Sequence, residues 1–187
     1  MLYNKRMLWN ELDFMEDILS SHRLSNYSSF DEYKKNLIYS NSFYISLSFI
    51  EVGLRNKLND YFTSYEKDWL MDFKHLGNCS FIVSKKVEKL IKSNKKVSNA
   101  SLVPELNFGF WVNLLSPHKT GFSLEKKHLK KIFGKDFNFS KSDFYHKLQL
   151  ILSFRNRIFH YEKVLNYSKF SNIESIISEI LGSVANI

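Results

Sequence analysis

Apolar residues recur along this chain at three- and four-residue intervals and seldom alternate with polar ones, which is the pattern of amphipathic helices. Leu8, Leu12, Met15 and Leu19 predict a first helix over about residues 5–22. Ser29 followed by Glu32 reads as a capping box, and the helical pattern then runs to about residue 65. So long a run predicts a break, placed near residues 40–42 where Ser40, Asn41 and Ser42 cluster. Pro104 suits the first turn of a helix over about 104–116, since its missing N–H would have no partner there. Ser142 and Asp143 open a helix reaching about residue 161, and a last helix is predicted over about 171–183.

The segment over about 81–97 has two faces. Lys85, Lys89, Lys92 and Lys96 form one stripe, while Val83, Val87, Leu90 and Ile91 lie roughly opposite. Such a lysine stripe can hold nucleic-acid phosphates without reading sequence, or it can be an ordinary solvated face; both readings stay open. The block Phe108, Phe110, Trp111, Leu114 and Leu115 is apolar nearly all round its helix, which points to core or subunit interface.

Seventeen Phe, ten Tyr and three Trp supply far more apolar area than a disordered chain leaves in water. With only six Gly and two Pro in 187 residues, turns are too few for a sandwich or barrel. An all-α fold is expected, and because no repeat or linker divides residues 1–187, a single domain. Cys79 is the sole cysteine, so one chain can build neither a disulfide nor a thiolate cluster. Acidic residues follow Met1 to Arg6 where a signal peptide needs an apolar run, and no stretch has the length of a membrane span; a cytoplasmic protein with no membrane partner is expected.

The net charge of +8 is unevenly spread. Residues 1–32 are locally acidic, whereas residues 85–96 and 119–135 each carry six Lys against one Glu. A polyanion such as RNA is the first partner this suggests. The chain lacks a P-loop, a dinucleotide-binding glycine pattern, H-E-x-x-H and C-x-x-C, so nucleotide hydrolysis, nicotinamide redox and zinc catalysis lack their parts. His22, His75, His118, His128 and His146 share no metal-ligand spacing, and Glu125 with Lys127 matches only the tail of a metal-nuclease motif. No metal and no cofactor are expected.

What remains is Phe154-Arg155-Asn156-Arg157-Ile158-Phe159-His160-Tyr161-Glu162, at the end of an apolar helix. Arg155 and His160 lie about 140° apart on a straight helix, so they converge only where the helix ends or a second chain approaches. Arg and His also sit well at any helix carboxyl end, where they meet the negative pole of the macrodipole.

Arg155-Asn156-x-x-x-His160 resembles the R-x4-6-H motif of HEPN domains, including the polar residue after the Arg. The wider pattern is similar to the abortive-infection (Abi-like) family. Three blocks carry the resemblance in the family's order: Ile50-Glu51-Val52-Gly53-Leu54-Arg55-Asn56, the segment from Leu102 to Ser116, and Leu152 to Glu162. Tyr161 departs from it, standing where many relatives carry a second His. The resemblance implies a HEPN-like helical bundle with extra helices that dimerises. It also implies metal-independent RNA cleavage in active members and a role in bacterial defence against phage, with some relatives holding a small RNA.

Residue chemistry fits that implication independently. Metal-free RNA cleavage uses the 2′-hydroxyl as nucleophile, with His160 suited to proton transfer and Arg155 to stabilising phosphate charge. Asn156 could hold the phosphate or orient His160, Glu162 could fix the imidazole tautomer, and Arg157 could join Lys85, Lys89, Lys92 and Lys96 in holding RNA. Glu51 and Arg55 stand at the spacing of an intrahelical ion pair; in the rival arrangement one of them reaches Arg155 and orients it. Two other functions stay open: a non-catalytic module that holds a small RNA, and a protein-interaction or antitoxin-like component.

Overall fold

The computed structural model describes residues 18–72, 76–117 and 124–185, and among these every regular element is helical. The helix expected over residues 5–22 falls mostly outside the described residues; a single turn, α1 (Ser21–Leu24), stands at its far end. The long periodic run divides into α2 (Phe30–Ser42) and α3 (Tyr44–Thr63). Weak helix formers precede the break, and Phe43 turns its ring inward against Tyr39 and Phe154. Ser29 caps α2 by accepting the Glu32 N–H at 3.2 Å. The return bond of the expected capping box is shifted by one residue, because the Glu32 carboxylate accepts from the N–H of Ser28, not of Ser29.

Further along lie α4 (Ser80–Lys92), α5 (Asn99–Leu102), α6 (Phe108–Leu114), α7 (Lys126–Phe133), α8 (Lys141–Phe159) and α9 (Ile173–Ala185). Pro104 belongs to a separate 3-10 turn, Val103–Glu105, and does not open α6. Leu106 is extended, so the chain restarts its helix at Asn107, whose Oδ1 accepts the Phe110 N–H at 3.0 Å. Similarly α8 is capped by Ser140, two residues before the expected start, with its hydroxyl accepting from Asp143 N–H.

The long helix α3 is the spine. Leu47, Ile50, Leu54, Leu58 and Phe62 form its buried line, and α6, α7 and α9 all pack against it. A methyl group on Gly53 would stand 2.5 Å from Val184 Cγ1, so the missing side chain is what lets α9 come this close. Helix α6 buries Phe108, Phe110, Trp111, Val112 and Leu114 between α3 and α8, in keeping with its all-round apolar sequence. Each such side chain contributes roughly 1.5–3 kcal/mol of apolar burial, and the buried residues from Phe43 to Val184 join in one cluster. No helix among the described residues is long and apolar enough to cross a membrane.

Candidate functional site

Phe144, Leu148, Ile151 and Phe154 fix the rotation of α8 by forming its buried face. Phe154 is held edge-on between the rings of Phe43 and Phe170, each centroid 5.0 Å away. At about 100° per residue, Arg155 and Arg157 must then leave α8 on opposite sides of that anchor. Arg155 turns toward α3, where its Nη2 lies 3.3 Å from Glu51 Oε2. Its guanidinium carbon also stands 4.2 Å from the centre of the Phe159 ring, which stacks on Tyr44. The Arg155 Nε is buried and has no partner among the described residues. Arg55 donates to its neighbour Asn56 at 3.2 Å. The intrahelical Glu51–Arg55 pair is therefore not formed, and Glu51 is the residue that reaches Arg155.

Helix α8 ends immediately before His160. Tyr161 N–H returns to the Ile158 carbonyl at 2.9 Å and Glu162 N–H to the Arg157 carbonyl at 2.8 Å, the two bonds of a Schellman turn. That turn requires a left-handed residue, and here it is Tyr161, with φ of 55°. Arg23 Nη1 completes the end by donating to the carbonyls of His160, at 3.0 Å, and Tyr161, at 2.8 Å. The exposed His160 imidazole makes no hydrogen bond or ring contact among the described residues, and nothing joins it to Arg155. Asn156 is exposed, with Oδ1 3.4 Å from Arg155 Nη1, and does not orient the imidazole. Glu162 does not fix a tautomer either, because its carboxylate pairs with Arg157 Nη1 at 3.2 Å.

Arg157 faces the other side of α8, donating from Nε to the Lys163 carbonyl and lying over the Tyr167 ring. Lys163 in turn contacts Glu32 at 2.6 Å and donates to the Asn26 carbonyl. The Lys163 ammonium, with help from the Ser28 N–H and hydroxyl, pulls the Glu32 carboxyl down to about 2. Burial raises the pKa of the adjacent Tyr27 phenol.

Beneath this loop sits Asn36, fully buried in α2. Its Oδ1 accepts from the N–H groups of Val164, at 2.8 Å, and Leu165, at 2.9 Å; its Nδ2 donates to the Glu162 carbonyl and the Tyr27 hydroxyl.

The lysine stripe is shorter than its spacing implies. Helix α4 ends at Lys92, and Asn94, with positive φ, turns the chain so that Lys95 N–H closes on the Leu90 carbonyl. Lys96 is therefore off the helix. Lys89 pairs with Glu105 at 2.7 Å and Lys85 lies over the Phe81 ring, while Lys92 is exposed. Ile91, expected on the packed face, is 62% exposed. Glu125 acts as the N-cap of α7 and pairs with Lys127, which accounts for its place in the sequence without a metal. Among the described residues no group of three His, Cys, Asp or Glu side chains could hold a metal ion.

Arg23, Asn36 and Lys163 also belong to this end of α8, and none of them stands out in the sequence as a site residue. Asn36 did leave a signal, because the buried positions of α2 are Tyr33, Asn36 and Ser40, a core-facing line that is polar where it should be aliphatic. Arg23 and Lys163 left none, since their partners stand more than a hundred residues away. No family model, curated protein or solved structure matches the chain in comparisons with known proteins.

Proposed function

We propose that this chain is a HEPN-type, metal-independent endoribonuclease of the abortive-infection kind, with Arg155 and His160 as its catalytic residues. The observation that carries the reading is the division of labour at the end of α8. Arg155 is held in place by Glu51 and the Phe159 ring, while the His160 imidazole is exposed and uncommitted. A fixed cation and a free proton carrier are the parts that cleavage through the 2′-hydroxyl requires. In that reaction a base removes the 2′-hydroxyl proton, the oxygen attacks phosphorus, and the bond to the 5′-oxygen breaks as that oxygen takes up a proton. The products are a 2′,3′-cyclic phosphate and a 5′-hydroxyl.

One chain offers one imidazole at this site, whereas the reaction moves two protons. A second copy would supply the other by symmetry. A homodimer is supported by an exposed apolar stripe on α3: Ile45, Phe49 and Val52 fall within about 60° of one another, opposite the buried line. Phe49→Asp should then give a monomer by light scattering and abolish cleavage.

The decisive test is end-group analysis of RNA incubated with the purified protein in excess EDTA. Cyclic phosphate and 5′-hydroxyl ends, no cutting of DNA, and loss of cleavage in Arg155→Ala and His160→Ala are expected. Ends bearing 5′-phosphate, or activity that requires magnesium, refute the mechanism. RNA binding without cutting by the wild-type protein would make the chain a holder of small RNA instead.

A further inference from the structure

Two cavities flank Tyr161, and neither is used by the chemistry above. The first, of about 380 Å³, is lined by Arg23, Tyr27, Arg157, Tyr161, Glu162 and Lys163 among others. Each of its three cations has partners within the protein. Arg23 uses Nη1 on the carbonyls that end α8, Arg157 uses Nε and Nη1, and Lys163 uses two donors. Arg23 keeps Nε and Nη2 and Arg157 keeps Nη2 unengaged among the described residues, while the Lys163 ammonium also lies 5.3 Å from the centre of the Tyr27 ring. The second cavity, of about 330 Å³, is apolar and lies between α2 and the end of α8, walled by Leu37, Tyr44, Ile158, Phe159 and Tyr161. Tyr161 is common to both, an exposed side chain on a backbone conformation that a tyrosine rarely adopts.

We propose that the two cavities form one nucleotide subsite for single-stranded RNA: a phosphodiester sits against Arg23, Arg157 and Lys163, and the attached base enters the apolar cleft beside Tyr44 and Phe159. This rests on the reading of the chain as an RNA-binding protein and extends it to a defined place. A phosphate is the ligand that fits a cavity lined by three cations, because guanidinium and ammonium donors match its oxygens. An aromatic-walled cleft next to it suits a base, and stacking of that kind does not depend on which base it is. Glu162 is the occupant a phosphate must displace, since its carboxylate holds Arg157 at 3.2 Å. The left-handed turn at Tyr161 puts this ring on the ridge between phosphate and base.

The test is binding of a fluorescent eight-nucleotide oligouridylate to the His160→Ala protein, measured by anisotropy across a salt series, with thermal melts to confirm folding. Arg157→Gln should weaken binding and reduce the slope of log affinity against log salt by about 0.7, one single-strand phosphate contact. Arg157→Lys should restore most of that slope. Tyr44→Leu should weaken binding roughly five-fold or more with the slope unchanged, as expected for lost stacking. Glu162→Gln should tighten binding, because it removes the competitor, and a merely structural carboxylate would not do so. If the parent protein binds RNA and all four variants match it in affinity and slope, the subsite is overturned while the RNA-binding reading stands. If the parent protein binds no RNA at any salt, that reading falls and the subsite with it. Full displacement of the probe by inorganic phosphate at equal concentration would overturn the nucleotide assignment in favour of a free-phosphate site.

Discussion

Replacing Asn36 by leucine deprives two backbone N–H groups of their only acceptor among the described residues. The Val164 amide is buried and the Leu165 amide half-buried, and both bond to Asn36 Oδ1. A buried donor left without a partner costs about 1–3 kcal/mol. The carbonyl of Glu162 and the hydroxyl of Tyr27 also lose their donor, but both lie near the surface and water can replace it. Leucine regains part of the loss through apolar contact, so a net destabilisation of about 2–4 kcal/mol is expected. For a chain of this size that lowers Tm by roughly 5–15 °C. Urea unfolding followed by circular dichroism reads the stability, and hydrogen exchange reads the two amides directly. Asn36→Asp keeps an acceptor in place, so Val164 and Leu165 should stay protected even as stability falls. If the Asn36→Leu protein unfolds at the wild-type midpoint, or its Val164 and Leu165 amides exchange no faster, the clamp is not what holds the loop.

Three other changes follow from the same geometry. Glu51→Ala frees Arg155 and should cut RNA cleavage roughly ten- to hundred-fold through misplacement, with a stability change below about 1 kcal/mol, whereas Glu51→Gln keeps an acceptor and should cost less in activity. Equal loss of folding in both would show that Glu51 acts only structurally. Tyr161→Gly removes a left-handed non-glycine residue and should stabilise the protein by about 1 kcal/mol in thermal melts while weakening RNA binding. A destabilised glycine variant would show that the Tyr161 ring packs more than its exposure suggests. Because the Glu32 carboxyl is held at about 2, against an ordinary value of 4.5, the unfolded chain binds the proton first as pH falls. The stabilisation from Glu32 is thus complete above about pH 4.5 and lost on the way down to about 2. Acid-unfolding curves of wild type and Glu32→Gln should converge in that window and diverge above it.

The helical class was legible because the signals for it are local and repeated. Apolar spacing, the cap at Ser29 and the weak helix formers before Phe43 each act within a few residues. The errors came where a nearby competitor took over. Ser140 outbid Ser142 as the cap of α8, and Asn94 ended α4 before Lys96 because a left-handed Asn satisfied the last carbonyls. At the candidate site, Arg155 and His160 were singled out by the resemblance to the HEPN motif, since their spacing alone suits any helix end, and Glu51 could be named as one of two alternatives. Choosing between them needed the crossing of α3 and α8, which no local pattern encodes. Glu162 went to Arg157 because both lie on the same turn, within reach of each other before any imidazole is.

Tyr161 links the fold to the proposed chemistry. Of the described non-glycine residues with positive φ, Asn94 and Asn166 are the type that tolerates it, whereas a tyrosine in the left-handed region carries a cost of about 1–2 kcal/mol. A glycine would close the same Schellman turn without that cost, so the turn alone does not explain the residue. The strain persists because the surroundings fix the backbone from both sides: Arg23 grips the two carbonyls before the loop, and Asn36 grips the two amides after it. Both grips come from elements remote in sequence, and both converge on the few residues where the Arg155–His160 motif ends. In the proposed ribonuclease these clamps would fix the backbone that carries His160, so that its imidazole starts from one place relative to Arg155.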